Sequence, residues 1–527
     1  MTGALLFYLS LFLALVVLPM VALALVVRVI HHAPSWGVRL AAWTARFPRL
    51  SAFLARRFDP RSTWGLAALT TALFVALGMW IFLGVLEDVL AHDPLATADV
   101  RLHNTLPLLR TPLSTSFALA LSALGGFVGL SLSSSAIALL LGRAGRWREA
   151  GTLLFAVLGS ALLSTLLKLL VDHPRPVDGL VAASQASFPS GHTLAALVVC
   201  GLLATFILRA PRRRFRHLLL VNLLLLLAVM VGVSRIYLGV HWPSDVLASF
   251  GVAIAWLAVV LFVARLPWRP RLPPAFVPLR AWLVRNARPL AALALLATAG
   301  VVVVGVVATP LLAPPPVTSR PIARAELEAA FPPALPRRSE GLVGDMAEPI
   351  SLVLVGAAPE ITAAFHAAGW STADPPRPVR VLEEMLAAYR NQRDDMAPVT
   401  PAYWNDRPQG LAFEKPNPAH ASIRTRHHTR LWQTGLCLAP ACRPIWVVTA
   451  SFDVGVELSE IIHLPTHRID PDVDREREHI AADLRRVGGN LLGSVTVVPP
   501  SQGTHAAGDA FFSDGRALLI DLPSGAQ

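Results

Sequence analysis

Charged residues and cysteines are scarce in this chain of 527 residues, and each scarcity argues against a class of protein. Only 15% of the residues are Asp, Glu, Lys or Arg, whereas 54% are hydrophobic and the mean hydropathy is +0.55. Such a composition is typical of a multi-span membrane protein rather than a soluble one. Three cysteines are too few for a disulfide-rich scaffold. The chain also lacks an internal repeat, a Walker-type glycine loop and a dinucleotide-binding fingerprint.

Lysine is almost absent: Lys168 and Lys415 are the only two lysines in the sequence. The other basic residues, apart from histidine, are arginines. The formal net charge of +12 would suit a nucleic-acid partner, but the arginines lie mainly in loops between apolar runs. An excess of positive charge in such loops is usual on the cytoplasmic side of membrane proteins. We therefore predict no nucleic-acid partner.

Apolar runs recur along the first 312 residues, each close to the ~20 residues that a helix needs to cross the hydrocarbon core. The run at 4–30 is too long for the core of a cleavable signal peptide and predicts a retained helix. It is followed to residue 64 by a segment rich in arginine and aromatic residues, which predicts an amphipathic stretch at the lipid interface. Seven further spans are predicted at 65–90, 115–142, 151–171, 190–208, 217–237, 244–265 and 289–312.

The loop arginines predict the orientation of these spans. Residues 31–64 and the loops at 143–148, 209–216 and 265–288 are rich in arginine, whereas the alternate loops hold few cations apart from the motif residues below. Arginine-rich loops remain in the cytoplasm. This places the N-terminus and everything after residue 312 on the outer side, which is the periplasm if the membrane is a bacterial inner membrane.

The residues after the last span have a different composition. A Pro-rich stretch at 313–344 predicts an extended linker. From 345 to 527 the pattern is that of a soluble α+β domain, with strands at 351–356, 446–458 and 491–498 and a helix at 473–487. If this domain is exported, Cys437 and Cys442 are predicted to form a local disulfide; two reduced thiols are the alternative.

Three cations lie near the predicted outer ends of spans: Lys168, Arg175 and Arg235. Charges at membrane depth are costly and are therefore candidates for function. Each one alone could be a snorkelling anchor for lipid headgroups. Together they suit an oxyanion, because Arg offers a planar fork for phosphate oxygens and Lys a compact point charge.

A second cluster, Ser190-Gly191-His192, directly precedes an apolar run. Ser190 is a favourable helix N-cap, and Gly191 would allow backbone amides to approach a ligand. A helix N-terminus binds anions through its free N–H groups and its dipole. The alternative is a capped helix start without a ligand.

His241 and Asp245 form the third cluster and are four residues apart, with Pro243 suited to the first turn of the next helix. This spacing lets the carboxylate hydrogen-bond one ring nitrogen, which leaves the other nitrogen free and more basic. A purely structural His–Asp contact is the alternative.

Together, the patterns K-x6-RP, PSGH and SR-x5-H-x3-D resemble those of the type 2 phosphatidic acid phosphatase (PAP2) superfamily, in the same order and with every motif position present. The resemblance implies that His241 attacks phosphorus, that Asp245 orients it, and that His192 protonates the leaving group. It also implies phosphate binding by Lys168, Arg175, Arg235 and the Ser190–Gly191 backbone. Neither a metal nor another cofactor is implied.

The tail resembles the LssY C-terminal domain in RHHTRLW (426–432) and HRIDPDVDRERE (467–478), and its partner is unknown. Several histidines and acids of the tail could suggest a metal site: His427, His428, His463, His467, Asp470, Asp472 and Asp474. The acids do not match a calcium loop, because no glycine follows at the required place. We therefore predict no metal, and a solvated turn with acids at a helix N-terminus.

The predicted fold is a mainly α membrane protein with a six-helix PAP2-type core, two flanking spans and an exported α+β domain. The predicted boundaries are 1–64 for the first span and amphipathic cytoplasmic segment, 65–265 for the core, 266–312 for a cytoplasmic loop and last span, 313–344 for the linker and 345–527 for the LssY-like domain.

The predicted function is hydrolysis of a lipid phosphate or diphosphate through a phosphohistidine at the outer membrane face. Vanadate-dependent haloperoxidases have similar motifs but are soluble, so the membrane spans argue against that alternative. A transporter or scaffold would not need a nucleophile, an orienting acid and a general acid.

Overall fold

The structure is a computed structural model. It describes the following residues: 43, 46–57, 63–183, 186–209, 215–267, 274–313, 319–331, 335–375, 380, 392, 394, 396–417, 425–458, 465–504 and 510–523. As far as they are described, these residues form two compact units. The first, here called the helical unit, lies within Phe12–Ala96 and Arg110–Pro314; the second, the sheet unit, combines Thr97–Leu109 with residues from Pro315–Gln527.

Long apolar helices dominate the described residues between 43 and 313. In chain order the helices are α1 (Pro48–Arg57), α2 (Ala68–Ala91), α3 (Pro94–Thr105), α4 (Pro112–Gly125), α5 (Phe127–Arg143), α6 (Trp147–Val171), α7 (Gly191–Leu208), α8 (Phe215–Tyr237), α9 (Pro243–Val263) and α10 (Val277–Val307). Among the described residues, six helices are long and apolar enough to cross a membrane. They are Trp64–Ala91, which extends α2, Arg216–Tyr237 within α8, and α6, α7, α9 and α10. The chain is thus a membrane protein with a mainly helical first part, whereas the run predicted at 4–30 lies outside the described residues.

The span predicted at 115–142 is not one straight helix. It consists of α4 and α5, which are bent by 58° at a short break, so the count of spans rises to seven if this pair crosses as one. The break falls at Gly125 and Gly126, where the backbone of Gly126 is extended (φ −70°, ψ 164°). A β-carbon on Gly125 would lie 2.3 Å from a methyl carbon of Val231 in α8, so the bend brings these two helices into close contact.

The last predicted span also has different bounds. Helix α10 begins twelve residues earlier than the predicted start at 289 and contains Pro289 in its interior. An apolar window alone misses this beginning, because the first turns of α10 carry arginines that lower the local hydropathy.

The sheet unit is built around one large sheet. Its described strands are β1 (Arg320–Ile322), β2 (Arg338–Glu340), β3 (Met346–Pro349), β4 (Leu352–Val355), β5 (Ser371–Thr372), β6 (Tyr403–Trp404), β7 (Arg407–Pro408), β8 (Leu411–Pro416), β9 (Arg426–Leu438), β10 (Arg443–Leu458), β11 (Pro465–Ile469), β12 (Asn490–Thr496), β13 (Ser501–Thr504), β14 (Ala510–Ser513) and β15 (Arg516–Asp521). Nine of them form one sheet in the order β12-β15-β4-β10-β9-β8-β5, with β1 beside β9 and β11 beside β10. The remainder form a two-stranded sheet, β13-β14, and a four-stranded sheet, β3-β2-β6-β7.

Both faces of the large sheet are covered. Side chains alternate between faces along a strand, and in β4 Val353 belongs to one apolar core whereas Leu354 belongs to the other. Helices α12 (Ala358–Ala367) and α13 (Val473–Arg486) contribute Phe365 and Leu484 to the second core. The short helix α11 (Arg324–Leu327) contributes Leu327 to the first core.

Two features of the sheet unit differ from the simple division predicted from the sequence. Residues 97–109, which lie between two predicted spans, cluster with the tail. Strands β1 and β2 lie within 313–344, the stretch predicted to be an extended linker. Both strands pair with strands distant in sequence, so tertiary contacts rather than local composition order this stretch.

Cys437 and Cys442 are joined by a disulfide, with their Cα atoms 4.7 Å apart. Cys437 is buried in β9, and Cys442 precedes β10. The bond therefore closes the turn between the two longest described strands of the sheet.

Candidate active site

The three motif clusters lie at the same ends of neighbouring helices. Lys168 is in the last turn of α6, and Ser190 immediately precedes α7. Arg235 is in the last turn of α8, and Asp245 is in the first turn of α9. The C-terminal ends of α6 and α8 lie beside the N-terminal ends of α7 and α9. These side chains therefore lie together at one end of the helical unit, here called the rim.

The imidazole of His241 has a different partner at each ring nitrogen. Nδ1 is 3.1 Å from Asp245 Oδ2, and Nε2 is 3.3 Å from Arg175 Nη1. A guanidinium can only donate hydrogen bonds, so Nε2 accepts and carries no proton. The ring proton therefore lies on Nδ1 and is donated to the carboxylate. The result is a neutral imidazole whose free lone pair is directed towards Arg175.

Asp245 is held by the beginning of α9 as well as by His241. Pro243 occupies the first turn of the helix, and the backbone N–H of Trp242 donates to Asp245 Oδ2 at 2.8 Å. An acidic side chain at this position accepts from free amides and is stabilised by the helix dipole. The helix start thus determines where the carboxylate lies, and the carboxylate in turn orients the imidazole.

The surroundings of His241 favour the uncharged ring. Burial is the main cause that lowers the pKa of His241 from 6.5 to about 4, and the nearby positive charges of Arg235 and Arg175 act in the same direction. The hydrogen bond and charge of Asp245 oppose this shift. At neutral pH the imidazole is therefore neutral, as the hydrogen-bond pattern also requires.

Arg175 and Lys168 both donate to backbone carbonyls at the rim. Lys168 Nζ donates to Ala186 O and, at 3.4 Å, to Ser187 O. Arg175 donates to Val240 O through Nη1 and to Ala186 O at 3.4 Å through Nη2. Burial lowers the pKa of Arg175. The shared carbonyl of Ala186 brings the two cations together beside His241.

Arg235 and His192 are bordered by the bend between α4 and α5, which contains none of the predicted site residues. Arg235 Nη1 donates to Ser122 Oγ of α4. A β-carbon built on Gly126 would lie 3.3 Å from His192 Nε2. His192 also interacts electrostatically with Arg235 and with His241. The only sequence signal for this bend is the pair Gly125-Gly126, which interrupts an apolar run.

The structure corrects the predicted role of the Ser190 side chain. Ser190 is the residue before α7, but its hydroxyl makes no capping bond to the helix and instead accepts from Thr193 Oγ1 at 2.9 Å. Its backbone N–H donates to Asp245 O at 3.1 Å and is therefore already engaged. Close packing explains the glycine at position 191, because a β-carbon there would lie 2.7 Å from Ser164 Oγ of α6.

His173 is a third histidine beside the Asp245 carboxylate, and the motif analysis did not single it out. It lies two residues before Arg175, and its Nδ1 is 3.7 Å from Asp245 Oδ1 and 3.0 Å from Ser187 Oγ. Its ring meets Phe188 edge to face, with the centroids 6.3 Å apart. No spacing rule identifies this residue, because its contact with Asp245 joins a loop to the start of a helix that is distant in sequence.

In the sheet unit, the two stretches that resemble LssY contact each other. His427 Nδ1 is 2.9 Å from Glu476 Oε2, so the first stretch pairs with the helix of the second. His428 is 3.3 Å from Asp453. Asp472 accepts from the backbone of Arg475 and thereby caps α13. These partners place the histidines and acids in a network of ion pairs and capping bonds.

The described residues of this network do not form a metal site. Among the residues that the structure describes, no group of three or more His, Cys, Asp or Glu side chains could hold a metal ion. His463 and the side chain of His467 lie outside the described residues.

Comparison with protein families agrees with both resemblances. Residues 149–269 match the family model of the PAP2 superfamily, and residues 333–517 match that of the LssY C-terminus. The helical unit thus contains a segment that matches the PAP2 superfamily model. This segment includes all three motif clusters, and the tail carries the LssY match, so both family predictions are confirmed.

This chain is similar over part of its length to several curated proteins. It is 37% identical over 107 residues to phosphatidylglycerophosphatase B of Bacillus subtilis, which corresponds to 20% of this chain and 53% of that protein. It is 32% identical over 148 residues to lipid A 1-phosphatase of Rhizobium johnstonii, which corresponds to 26% of this chain and 56% of that protein. The chain thus spans about half the length of these two relatives.

A solved structure is also similar to part of this chain. The crystal structure of a transmembrane PAP2-type phosphatidylglycerolphosphate phosphatase from Bacillus subtilis is 25% identical in sequence. It covers 37% of this chain and 98% of its own chain, with a TM-score of 0.34.

Proposed function

We propose that this protein is a membrane phosphatase that hydrolyses a lipid phosphate or diphosphate without a metal or cofactor. The arrangement around His241 is the observation that carries this proposal. Its unprotonated Nε2 is 3.3 Å from an Arg175 donor, and its Nδ1 is held by Asp245. A nucleophile that adjoins a donor for phosphoryl oxygens suits phosphoryl transfer.

In the first step, His241 Nε2 attacks phosphorus and a P–N bond forms as the P–O bond to the leaving group breaks. The developing positive charge on the ring is balanced by Asp245, to which Nδ1 donates throughout. His192 gives a proton to the departing oxygen. The expelled group is a lipid alcohol for a monophosphate substrate and a lipid monophosphate for a diphosphate.

In the second step, water attacks the phosphohistidine and the P–N bond breaks. His192 lost its proton in the first step, so it now accepts one from the water. Inorganic phosphate and free His241 result. The same nitrogen thus acts as acid and then as base, which returns the enzyme to its starting protonation state.

The cations Lys168, Arg175 and Arg235 take the role that a metal ion has in other phosphatases. They neutralise the three non-bridging oxygens as charge develops, and they are fixed before the substrate arrives. A bound phosphoryl group would replace the carbonyl partners that Lys168 and Arg175 have in the free protein. With the Ser190 amide engaged, the amides from Gly191 onward are the backbone donors that remain for this purpose.

The position of the rim supports a lipid substrate. The site is at the ends of helices long and apolar enough to cross a membrane, so a headgroup can reach it while acyl or prenyl chains remain among the helices. The distribution of arginines supports an inner-membrane protein with this rim, and the tail, on the periplasmic side. Phosphatidic acid, phosphatidylglycerol phosphate, undecaprenyl diphosphate and lipid A phosphates are the candidate substrates.

Phosphate release from purified protein tests the proposal. The protein in detergent, with EDTA present, should release phosphate from at least one of the four candidate lipids, whereas His241→Ala should release none. His366→Ala, at an exposed histidine of the sheet unit, should retain full activity. With a substrate ³²P-labelled on the transferred phosphorus, the wild type should form an acid-labile, base-stable phosphoprotein that His241→Ala lacks.

Three outcomes would contradict the proposal. They are turnover by His241→Ala equal to that of the wild type, a strict need for an added divalent ion, and an absence of phosphate release from every lipid of the panel.

A further inference from the structure

The two oxygens of the Asp245 carboxylate have unequal partners. Oδ2 accepts from His241 Nδ1 at 3.1 Å and from Trp242 N at 2.8 Å. Oδ1 is buried and has no hydrogen-bond partner among the residues that the structure describes. A buried carboxylate oxygen that accepts no hydrogen bond destabilises the folded protein. A nearby side chain that can donate to Oδ1 would remove this destabilisation.

His173 is that donor. Its Nδ1 is 3.7 Å from Asp245 Oδ1, which is an ion-pair distance but longer than a hydrogen bond. Its side chain is 22% exposed, whereas that of Asp245 is fully buried. A movement of less than about 1 Å would bring Nδ1 to the usual 2.7–3.2 Å of an N–H···O bond.

The hydrogen bonds of Ser187 determine which nitrogen of His173 carries the proton. Ser187 Oγ is 3.0 Å from the carbonyl oxygens of His173 and Pro174, and both of these can only accept. The single hydroxyl proton of Ser187 is therefore used, and Oγ must accept from His173 Nδ1 at 3.0 Å. Nδ1 consequently bears a hydrogen on the side of the ring that faces both Ser187 and Asp245.

We propose that His173 is a positioning residue that turns its Nδ1 hydrogen from Ser187 Oγ towards Asp245 Oδ1 and so keeps the carboxylate aligned with His241 during the reaction. The inference rests on the proposed phosphatase function and deepens it. One carboxylate would then be held between two imidazoles, with His241 on Oδ2 and His173 on Oδ1. Because His173 is two residues from Arg175, the same loop would place the phosphate-binding arginine and orient the nucleophile.

A series of variants separates this role from a merely structural one. His173→Asn retains an N–H donor on the atom bonded to Cγ, where Nδ1 lies, whereas His173→Gln moves its donor farther out and His173→Ala has none. Ser187→Ala removes the loop hydrogen bond but leaves the imidazole in place. We expect His173→Ala and His173→Gln to lower kcat roughly tenfold, with KM changed by less than about twofold. His173→Asn and Ser187→Ala should stay within about threefold of the wild-type kcat.

Several results would overturn the proposal while leaving phosphatase activity intact. They are an unchanged kcat in His173→Ala, a loss that appears only in KM, and a His173→Asn variant as impaired as His173→Ala. A loss in Ser187→Ala equal to that in His173→Ala would show that only loop anchoring matters. Failure of the proposed function itself would be recognised separately, by a wild-type protein that releases no phosphate from any lipid of the panel.

A structure of the wild type with bound orthovanadate tests the contact independently of turnover. We expect His173 Nδ1 within about 3.2 Å of Asp245 Oδ1 in that structure. A separation that stays beyond about 3.5 Å, or a ring turned away from Asp245, would also overturn the proposal.

Discussion

At the residue scale, the tautomer of His241 links the charges of the site to its proposed chemistry. The Nδ1 proton is directed to Asp245, and the Nε2 lone pair faces Arg175. Burial would by itself produce a neutral ring, but it would not determine which nitrogen is protonated. Asp245 makes that choice, and it also supplies the negative charge that a phosphorylated imidazole requires.

Asp245→Asn should therefore reduce kcat/KM for phosphate release by roughly 10²–10⁴-fold, since an amide can donate to Nδ1 and favour the wrong tautomer. Asp172→Asn is a matched control, because Asp172 ends α6 in the left-handed region (φ 44°), which Asn also tolerates. Initial rates on the preferred lipid, at equal amounts of folded protein, would measure both. Near-normal turnover in Asp245→Asn would refute the proposed pairing.

At the scale of elements, the bend between α4 and α5 brings a span that carries none of the recognised motifs to the site. The backbone angles of Gly126, φ −70° and ψ 164°, are open to any residue. Glycine is thus not required there by a left-handed conformation. A glycine fits there because His192 Nε2 and the carbonyl oxygens of α4 leave little room for a β-carbon.

Gly126→Ala should lower kcat roughly tenfold, because the new methyl group would lie 3.3 Å from His192 Nε2, the nitrogen nearest the bend. Gly84→Ala is the matched control, since no atom lies within 4 Å of its added β-carbon in α2. Steady-state kinetics and thermal melting in detergent would be compared for the two variants. A Gly126→Ala enzyme with wild-type kcat and a lower melting temperature would show that the glycine serves packing alone.

At the scale of the whole molecule, a segment between two membrane helices forms part of the sheet unit. Arg101 of α3 is buried and donates to Glu340, to the carbonyl of Gly341 and, at 3.0 Å, to Asp406. Its guanidinium also lies 5.6 Å from the centre of the Tyr403 ring. The tail is thus joined to the rest of the chain in two places, through residues 97–109 as well as through the connection after α10.

Arg101→Ala should weaken the attachment of residues 97–109 to the tail by about 1–3 kcal/mol, because it removes several charge-assisted hydrogen bonds. Hydrogen exchange of the solubilised protein should become faster in 97–109 and around Glu340. Arg101→Lys should give an intermediate effect, since one ammonium cannot match the planar fork. Unchanged exchange in Arg101→Ala would show that other contacts hold the segment.

The sequence by itself determined those features that depend on local pattern. Hydrophobic runs located the described membrane helices, apart from the bend and the start of α10, because the thickness of the hydrocarbon core sets their length. The i, i+4 spacing predicted the contact between Asp245 and His241, although His241 precedes α9 and the contact forms across the helix start rather than along a helical turn. Alternating and continuous apolar patterns located β4 and β10, and the helix signals located α13.

Only the tertiary structure decided which distant residues meet at the site and in the tail. Ser122 and Gly126 border Arg235 and His192, and His173 approaches Asp245, because separate helix ends pack together. No local period records such contacts, since they depend on the packing of whole elements. The same reason explains why residues 97–109 join the sheet unit. The partners of the buried Arg101 are more than two hundred residues away in sequence and reach it only in the folded chain.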